Sequence, residues 1–144
     1  KDTTFAPAPG RCALTSTALP PGRVKDTLAR TYTTSECQSG NAGLFSTGDD
    51  LARFCRSLLA GEVLRPETMK RMFEPDDHTR GLGWDVFDDP PYAPGVGHTG
   101  FTGTLLWLDP ARGRFVVLLT NRVLSGEQTQ VGRLRREVLA ALNR

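Results

Sequence analysis

The stretch GVGHTGFTG, residues 95–103, sets one of the chain's two histidines among glycines and threonines, directly ahead of the apolar run TLLWLDP. An imidazole can take or give a proton near neutral pH, and a threonine hydroxyl beside it can hydrogen-bond a carbonyl or a carboxylate. Glycines at 97, 100 and 103 allow close backbone approach by a ligand, and a backbone N–H at such an edge can stabilise an oxyanion. His98 therefore reads in two ways. It is either a strand-end histidine in a glycine-rich bend, or a proton-transfer group that works with Thr99 on a bound ligand.

The rest of the chain offers that histidine no local nucleophile. None of Ser16, Ser35, Ser39, Ser46, Ser57 and Ser125 is followed three residues later by lysine, and no GxSxG elbow occurs. Ser46 is better explained as a helix cap. The adjacent pairs Asp49–Asp50 and Asp76–Asp77 fit a helix start and a loop rather than a catalytic carboxylate pair. Cys12, Cys37 and Cys55 have no CxxC spacing, and only His78 and His98 could join them as ligands, so neither a metal nor another cofactor is expected. Cys55 falls on the apolar side of a helix, where a free thiol acts as a small apolar residue.

The elements that position His98 follow from periodicity. At 144 residues one domain is expected, with irregular chain over 1–45, helices over 46–73, and strands plus a terminal helix over 81–144. The proline- and threonine-rich start reads as an extended loop lying on something else, and residues 24–43 stay irregular. Ser46 and Thr47 supply cap hydroxyls for a helix carrying Leu51, Phe54, Cys55, Leu58 and Leu59 on one side. Pro66 opens a short second helix with Met69, Met72 and Phe73 in the core. GLGWDVF alternates Leu82, Trp84 and Val86 as a half-buried strand. GTLLWL and FVVLLTN form a hairpin through DPARGR, and their consecutive apolar residues require cover on both faces. A last helix, from about Gln128, places Val131, Leu134, Val138 and Leu142 in one stripe and Arg133, Arg135, Arg136 and Arg144 on a solvated face. The fold class is α+β, an antiparallel sheet flanked by helices. One hairpin and one further strand make a narrow sheet that calls for more partners.

Charge and hydropathy exclude other classes. Net charge is +2, and Lys1, Lys25 and Lys70 are the only lysines. The arginine bias reads as composition, and no nucleic-acid partner is expected. No apolar run approaches the roughly 20 residues of a membrane helix, so no membrane span is expected.

Several stretches, in order, resemble the serine beta-lactamase and penicillin-binding-protein-like hydrolases, especially the class C type with its esterase, D-aminopeptidase and acyltransferase relatives. KDTTF looks like the piece after that family's PLGM segment, and NAGLFSTGDDLARFCRSLL like its glycine-to-helix segment bordering the active site. GLGW begins a core strand, and HTGFTGTLLWLDPARGRFVVLLTNR resembles the third motif, Lys/His-Thr/Ser-Gly, with its hairpin. The resemblance implies that His98 takes the place of the motif's lysine or histidine. Thr99 and Gly100 complete the motif, with Thr99 binding a substrate carboxylate or carbonyl, and the N–H of Phe101 is one of two oxyanion donors. It further implies that Asn41, Ala42 and Gly43 border the acyl pocket and that Asn121 approaches from a neighbouring strand end.

The departures from the family pattern are specific. The first motif, SxxK, and the second, YxN or SxN, normally precede the KDTTF-like segment, and this chain starts after both. SGN at 39–41 fits SxN formally, but its AGLFST sequel marks it as the later segment. Lys25 stands where relatives often carry histidine, and TYTTSECQ at 31–38 replaces an often glycine-rich stretch. The expectation is the C-terminal portion of one catalytic domain, completed by an N-terminal segment or chain that carries SxxK and YxN. The completed protein would act on an ester, amide or beta-lactam through an acyl-serine, and this chain alone would be inactive. The alternative is a non-catalytic remnant of the fold that binds a ligand or a protein.

Overall fold

In the computed structural model, residues 2–34, 37–76, 79–125 and 130–142 are described; Lys1, Ser35, Asp77, His78, Gln128 and Arg144 lie outside them. The chain's most apolar stretches build a four-stranded antiparallel meander, β1 (Asp85–Phe87), β2 (Gly95–Thr99), β3 (Leu105–Asp109) and β4 (Arg114–Leu118), in the order β1-β2-β3-β4. Helices α1 (Thr27–Tyr32), α2 (Gly48–Leu59) and α3 (Pro66–Phe73) precede the sheet, and α4 (Val131–Leu142) follows it. The fold is thus α+β.

Both faces of the sheet are covered, as the continuous apolar runs require. On one face Cys55 and Leu58 of α2 meet Val96 and Leu108, with Met69, Met72 and Phe73 of α3 packed around them. On the other, Leu139 of α4 packs with Leu105 and Trp107. Burial pushes the Cys55 thiol up to about 11, so it stays neutral and behaves as a small apolar group. The N-terminal segment does lie on something else. Thr4 and Phe45 exchange backbone bonds of 2.9 Å each, and Thr3 Oγ1 reaches Asp50 Oδ2 (3.1 Å) in the first turn of α2.

Local chemistry moved several elements from their expected places. The cap of α2 is Thr47 alone, accepting from the Asp50 N–H at 3.2 Å; the Ser46 hydroxyl instead pairs with Thr3 Oγ1 at 2.8 Å. Residues 24–43 contain α1, capped by Asp26, whose carboxylate accepts from the Ala29 N–H at 2.7 Å and is held below the usual range by that bond first. The strand expected over 81–87 shrinks to Asp85–Phe87. Its glycines form a turn on the end of α3, with the Leu82 N–H on the Met72 carbonyl (2.9 Å), and this throws Leu82 out to 71% exposure. On α2, Phe54 is exposed rather than part of the core stripe.

The glycine-rich bend is itself a strand. Gly95 and Gly97 lie in β2, Gly95 paired with Phe87 and Gly97 paired on both sides, and their missing side chains make room for the protein's own neighbours. A Cβ at Gly95 would collide with the Trp107 indole, whose N–H donates to the Tyr92 carbonyl at 2.8 Å. At Gly100 and Gly103 the intruders would be the Thr104 and Thr120 hydroxyls. At each of these positions an added side chain would therefore meet the protein's own atoms.

At the far end of the hairpin, Asp109 is buried and accepts from Arg112 (3.0 Å) and Arg114 (2.9 Å) through one oxygen and from the Arg112 N–H (3.2 Å) through the other. Burial pushes this carboxyl up, but the bonds from Arg114 and Arg112 outweigh it and hold it below the ordinary carboxylate range. Because the folded value lies below the unfolded one, the pair's contribution is complete above pH ~4 and is lost as pH falls through the folded value. Asp109→Asn is expected to cost about 1–3 kcal/mol at pH 7. Its thermal midpoint should also fall less than the parent's between pH 5 and pH 3, which a pH series of melting curves checks.

Candidate active site

His98 sits at the fourth position of β2, opposite Leu106, in the cross-strand row next to Val96, Leu108 and Phe115. It therefore points to the α2 face, but beyond the helix's cover, and is exposed. Its Nδ1 lies 3.0 Å from the Thr99 carbonyl. A carbonyl can only accept, so Nδ1 carries the proton and, in the neutral ring, Nε2 presents its lone pair to solvent. Strand alternation puts the Thr99 side chain on the opposite, α4 face, half-buried.

What sets this strand end apart is its open edge. β1 pairs with β2 only from Gly95 to Gly97, so from His98 onward the outer side of β2 has no strand against it among the described residues. The Gly100 N–H donates to the Thr104 carbonyl (2.8 Å). The next N–H, that of Phe101 in the turn beyond β2, lies opposite the Gly100 carbonyl across a trans peptide and has no acceptor among the described residues.

The turn that follows is pinned at every carbonyl. Gly100 O accepts from the Gly103 N–H (3.1 Å), Thr102 O from the Arg122 N–H (2.8 Å), and Gly103 O from the Thr120 hydroxyl (2.7 Å). The Arg122 Nε donates to Phe101 O. Arg135 Nη2 donates to both Gly100 O (2.8 Å) and Thr104 O (2.7 Å). Arg135 was expected on the solvated face of α4. It is buried instead, while Leu134 and Leu142 of the expected stripe are exposed. Its stem fills the apolar row Val131–Arg135–Leu139, and the two carbonyls receive its head. Burial draws its pKa below the ordinary value, opposed by Tyr92 and reinforced by the charge of Arg122.

Cations crowd the same corner. Lys25 Nζ and Arg122 Cζ lie 4.1 and 4.5 Å from the centre of the exposed Phe101 ring, and neither enters an ion pair among the described residues. The region is a positively charged strand edge carrying an N–H with no acceptor among the described residues and an imidazole lone pair, suited to a polarised carbonyl on an anionic molecule.

The other expected site residues are arranged less directly. Asn41 donates to Asp26 (3.3 Å), the neighbour of Lys25, so the 41–43 segment is tied to this corner at one remove. No hydrogen bond links Asn41, Ala42 or Gly43 to residues 98–101 among the described residues. Gly43, at φ 109°, packs on Val24 and Phe5. The Asn121 amide is turned to the Leu14 carbonyl rather than to His98. Gly100 has both backbone groups committed internally. Arg122 and Arg135 were not anticipated as site residues. The signal for Arg135 was its place between Val131 and Leu139 at successive i, i+4 positions. No group of three His, Cys, Asp or Glu residues that could hold a metal occurs among the described residues, and no described helix is long and apolar enough to cross a membrane.

A family model described as "Beta-lactamase" matches residues 1–140. A protein of Escherichia coli (strain K12) named "Putative D-alanyl-D-alanine carboxypeptidase" is 35% identical over 102 residues, covering 58% of this chain and 23% of that protein. A protein of the same name from Salmonella enteritidis PT4 (strain P125109) is 37% identical over 101 residues, with the same shares. The chain thus spans less than a quarter of the length of these relatives.

Proposed function

The chain belongs to the beta-lactamase family, a serine-hydrolase-like group, and on that premise we propose that it forms one wall of an active site that cleaves an amide or ester through an acyl-serine. The single observation that carries the proposal is the outer edge of β2 from His98 onward, which no strand among the described residues covers, followed by the Phe101 N–H, which has no acceptor among them. The nucleophilic serine, its lysine and a tyrosine come from a segment or chain carrying SxxK and YxN. The serine Oγ adds to the carbonyl carbon, and the oxygen that becomes negative is held by the Phe101 N–H. The C–N or C–O bond breaks, the leaving group takes a proton, and water hydrolyses the acyl-serine. His98 assists proton transfer through Nε2, and Thr99 hydrogen-bonds the substrate. Asn41, Ala42, Gly43 and Asn121 border the pocket, with the Asn121 amide released from Leu14.

The substrate class follows from charge. Lys25 and Arg122 supply two cations beside the open edge, which favours a substrate with a free carboxylate. The relatives' name points to a peptide ending in D-alanyl-D-alanine, which has one. Support for a completing segment comes from β4, an edge strand whose residues Arg114 to Leu118 are all only half-buried.

A fluorescent penicillin and a fluorophosphonate, applied to this chain alone and to the full-length protein, test the reading. The expected result is serine labelling in the full-length protein and none in the isolated chain. Labelling of a serine within residues 1–144 would overturn the proposed division of the site. No labelling of the full-length protein would leave the open edge as a non-catalytic binding surface.

A further inference from the structure

A peptide unit is planar and trans, so its C=O and N–H point in opposite directions. Whatever fixes the Gly100 carbonyl therefore fixes the direction of the Phe101 N–H. That carbonyl has two donors, the Gly103 N–H inside the turn at 3.1 Å and Arg135 Nη2 from α4 at 2.8 Å. The same Arg135 nitrogen holds the Thr104 carbonyl at 2.7 Å, across the mouth of the turn. We propose that Arg135 is a positioning residue, which locks the 100–101 peptide with its carbonyl toward α4 and its N–H toward the open edge of β2. The inference rests on the acyl-serine reading for its catalytic consequence, but not for the geometry itself.

Two features make this role more than helix-to-sheet packing. Arg135 is 9% exposed and enters no ion pair among the described residues, so its charge is buried against carbonyl dipoles alone, an arrangement that does little for stability. Both carbonyls also keep a second donor without it, the Gly103 N–H for Gly100 and the Gly100 N–H for Thr104. Removing the guanidinium therefore orphans neither. It releases a peptide that has glycine on one side and can turn over.

The test is Arg135→Met and Arg135→Lys in the full-length protein, with two readouts. By NMR, Arg135→Met should move the Gly100 and Thr104 carbonyl resonances and broaden or shift the Phe101 amide, with the Trp107 indole signal and the rest of the sheet unchanged. With a fluorescent penicillin, acylation should slow about 100-fold, the cost of losing one oriented oxyanion donor. The concentration giving half-maximal rate should stay within about threefold, because ground-state binding is retained. Arg135→Lys, a charged donor that lacks the planar fork, should recover part of both. Unmoved Gly100 and Thr104 carbonyl signals in a folded variant, or acylation as fast as in the parent, would overturn the inference. If the parent itself is never acylated, the acyl-serine reading fails, and the carbonyl resonances still decide the role of Arg135. Should Arg135→Met not fold, Arg135→Lys is read in the same two ways.

Discussion

Changing His98 to alanine in the full-length protein should lower the rate of serine acylation by about 10²- to 10⁴-fold, the range attached to a positioned proton-transfer group, with the thermal midpoint unchanged. The second half of that expectation comes from exposure. Among the described residues the His98 ring makes one hydrogen bond, to the carbonyl of its own neighbour, and it is exposed, so its loss opens no cavity. The first half comes from orientation. The Thr99 carbonyl holds Nδ1 and leaves Nε2 without a partner among the described residues, three residues ahead of the Phe101 N–H. His98→Gln, which keeps a polar side chain but cannot carry the proton, should lose as much as alanine. His98→Lys should lose less, since an amine in that place can still carry a proton. Equal acylation by the parent and His98→Ala would remove His98 from the site, and a drop in midpoint with the loss would assign it to folding.

What the sequence disclosed about this corner, and what it withheld, follows from the range of the forces involved. The hairpin, α2 and α3 were legible because apolar periodicity and turn chemistry are local, and Asp109, Gly113, Pro66 and Thr47 act where they stand. The HTG motif was legible as a string of residue types. Its surroundings were not, because they depend on residues far along the chain. Arg135 looked like one more solvated arginine until the sheet brought Gly100 and Thr104 beneath it, 35 and 31 residues away in sequence. Lys25 and Arg122 meet on Phe101 only because the segment leading into α1 and the chain leaving β4 converge there. Asn121 shows the opposite case. The motif order placed it near the site, yet the Leu14 carbonyl, more than a hundred residues earlier, holds its amide.

The glycines of β2 give the sharpest test of which interpretation of the strand is right. A ligand-approach role and a packing role both call for glycine at 97, but they predict different losses. A Cβ there would overlap the Leu106 carbonyl and come within 3.1 Å of the Trp107 Cα and 3.2 Å of the Phe87 ring. Two of those three are backbone, which cannot swing aside as a side-chain tip can, and β2 is held by strands on both sides at this residue. Gly97→Ala is therefore expected to destabilise the protein by about 3 kcal/mol, the upper end of the usual cost of overpacking, and Gly97→Val by more. Gly132→Ala in α4 provides the control, because nothing lies within 4 Å of its added Cβ. It should stabilise the helix by about 0.5–1 kcal/mol. Denaturant unfolding of the three variants checks the order. If Gly97→Ala instead keeps the parent's stability and loses only acylation, the strand yields more than its backbone contacts imply, and the glycine serves the ligand after all.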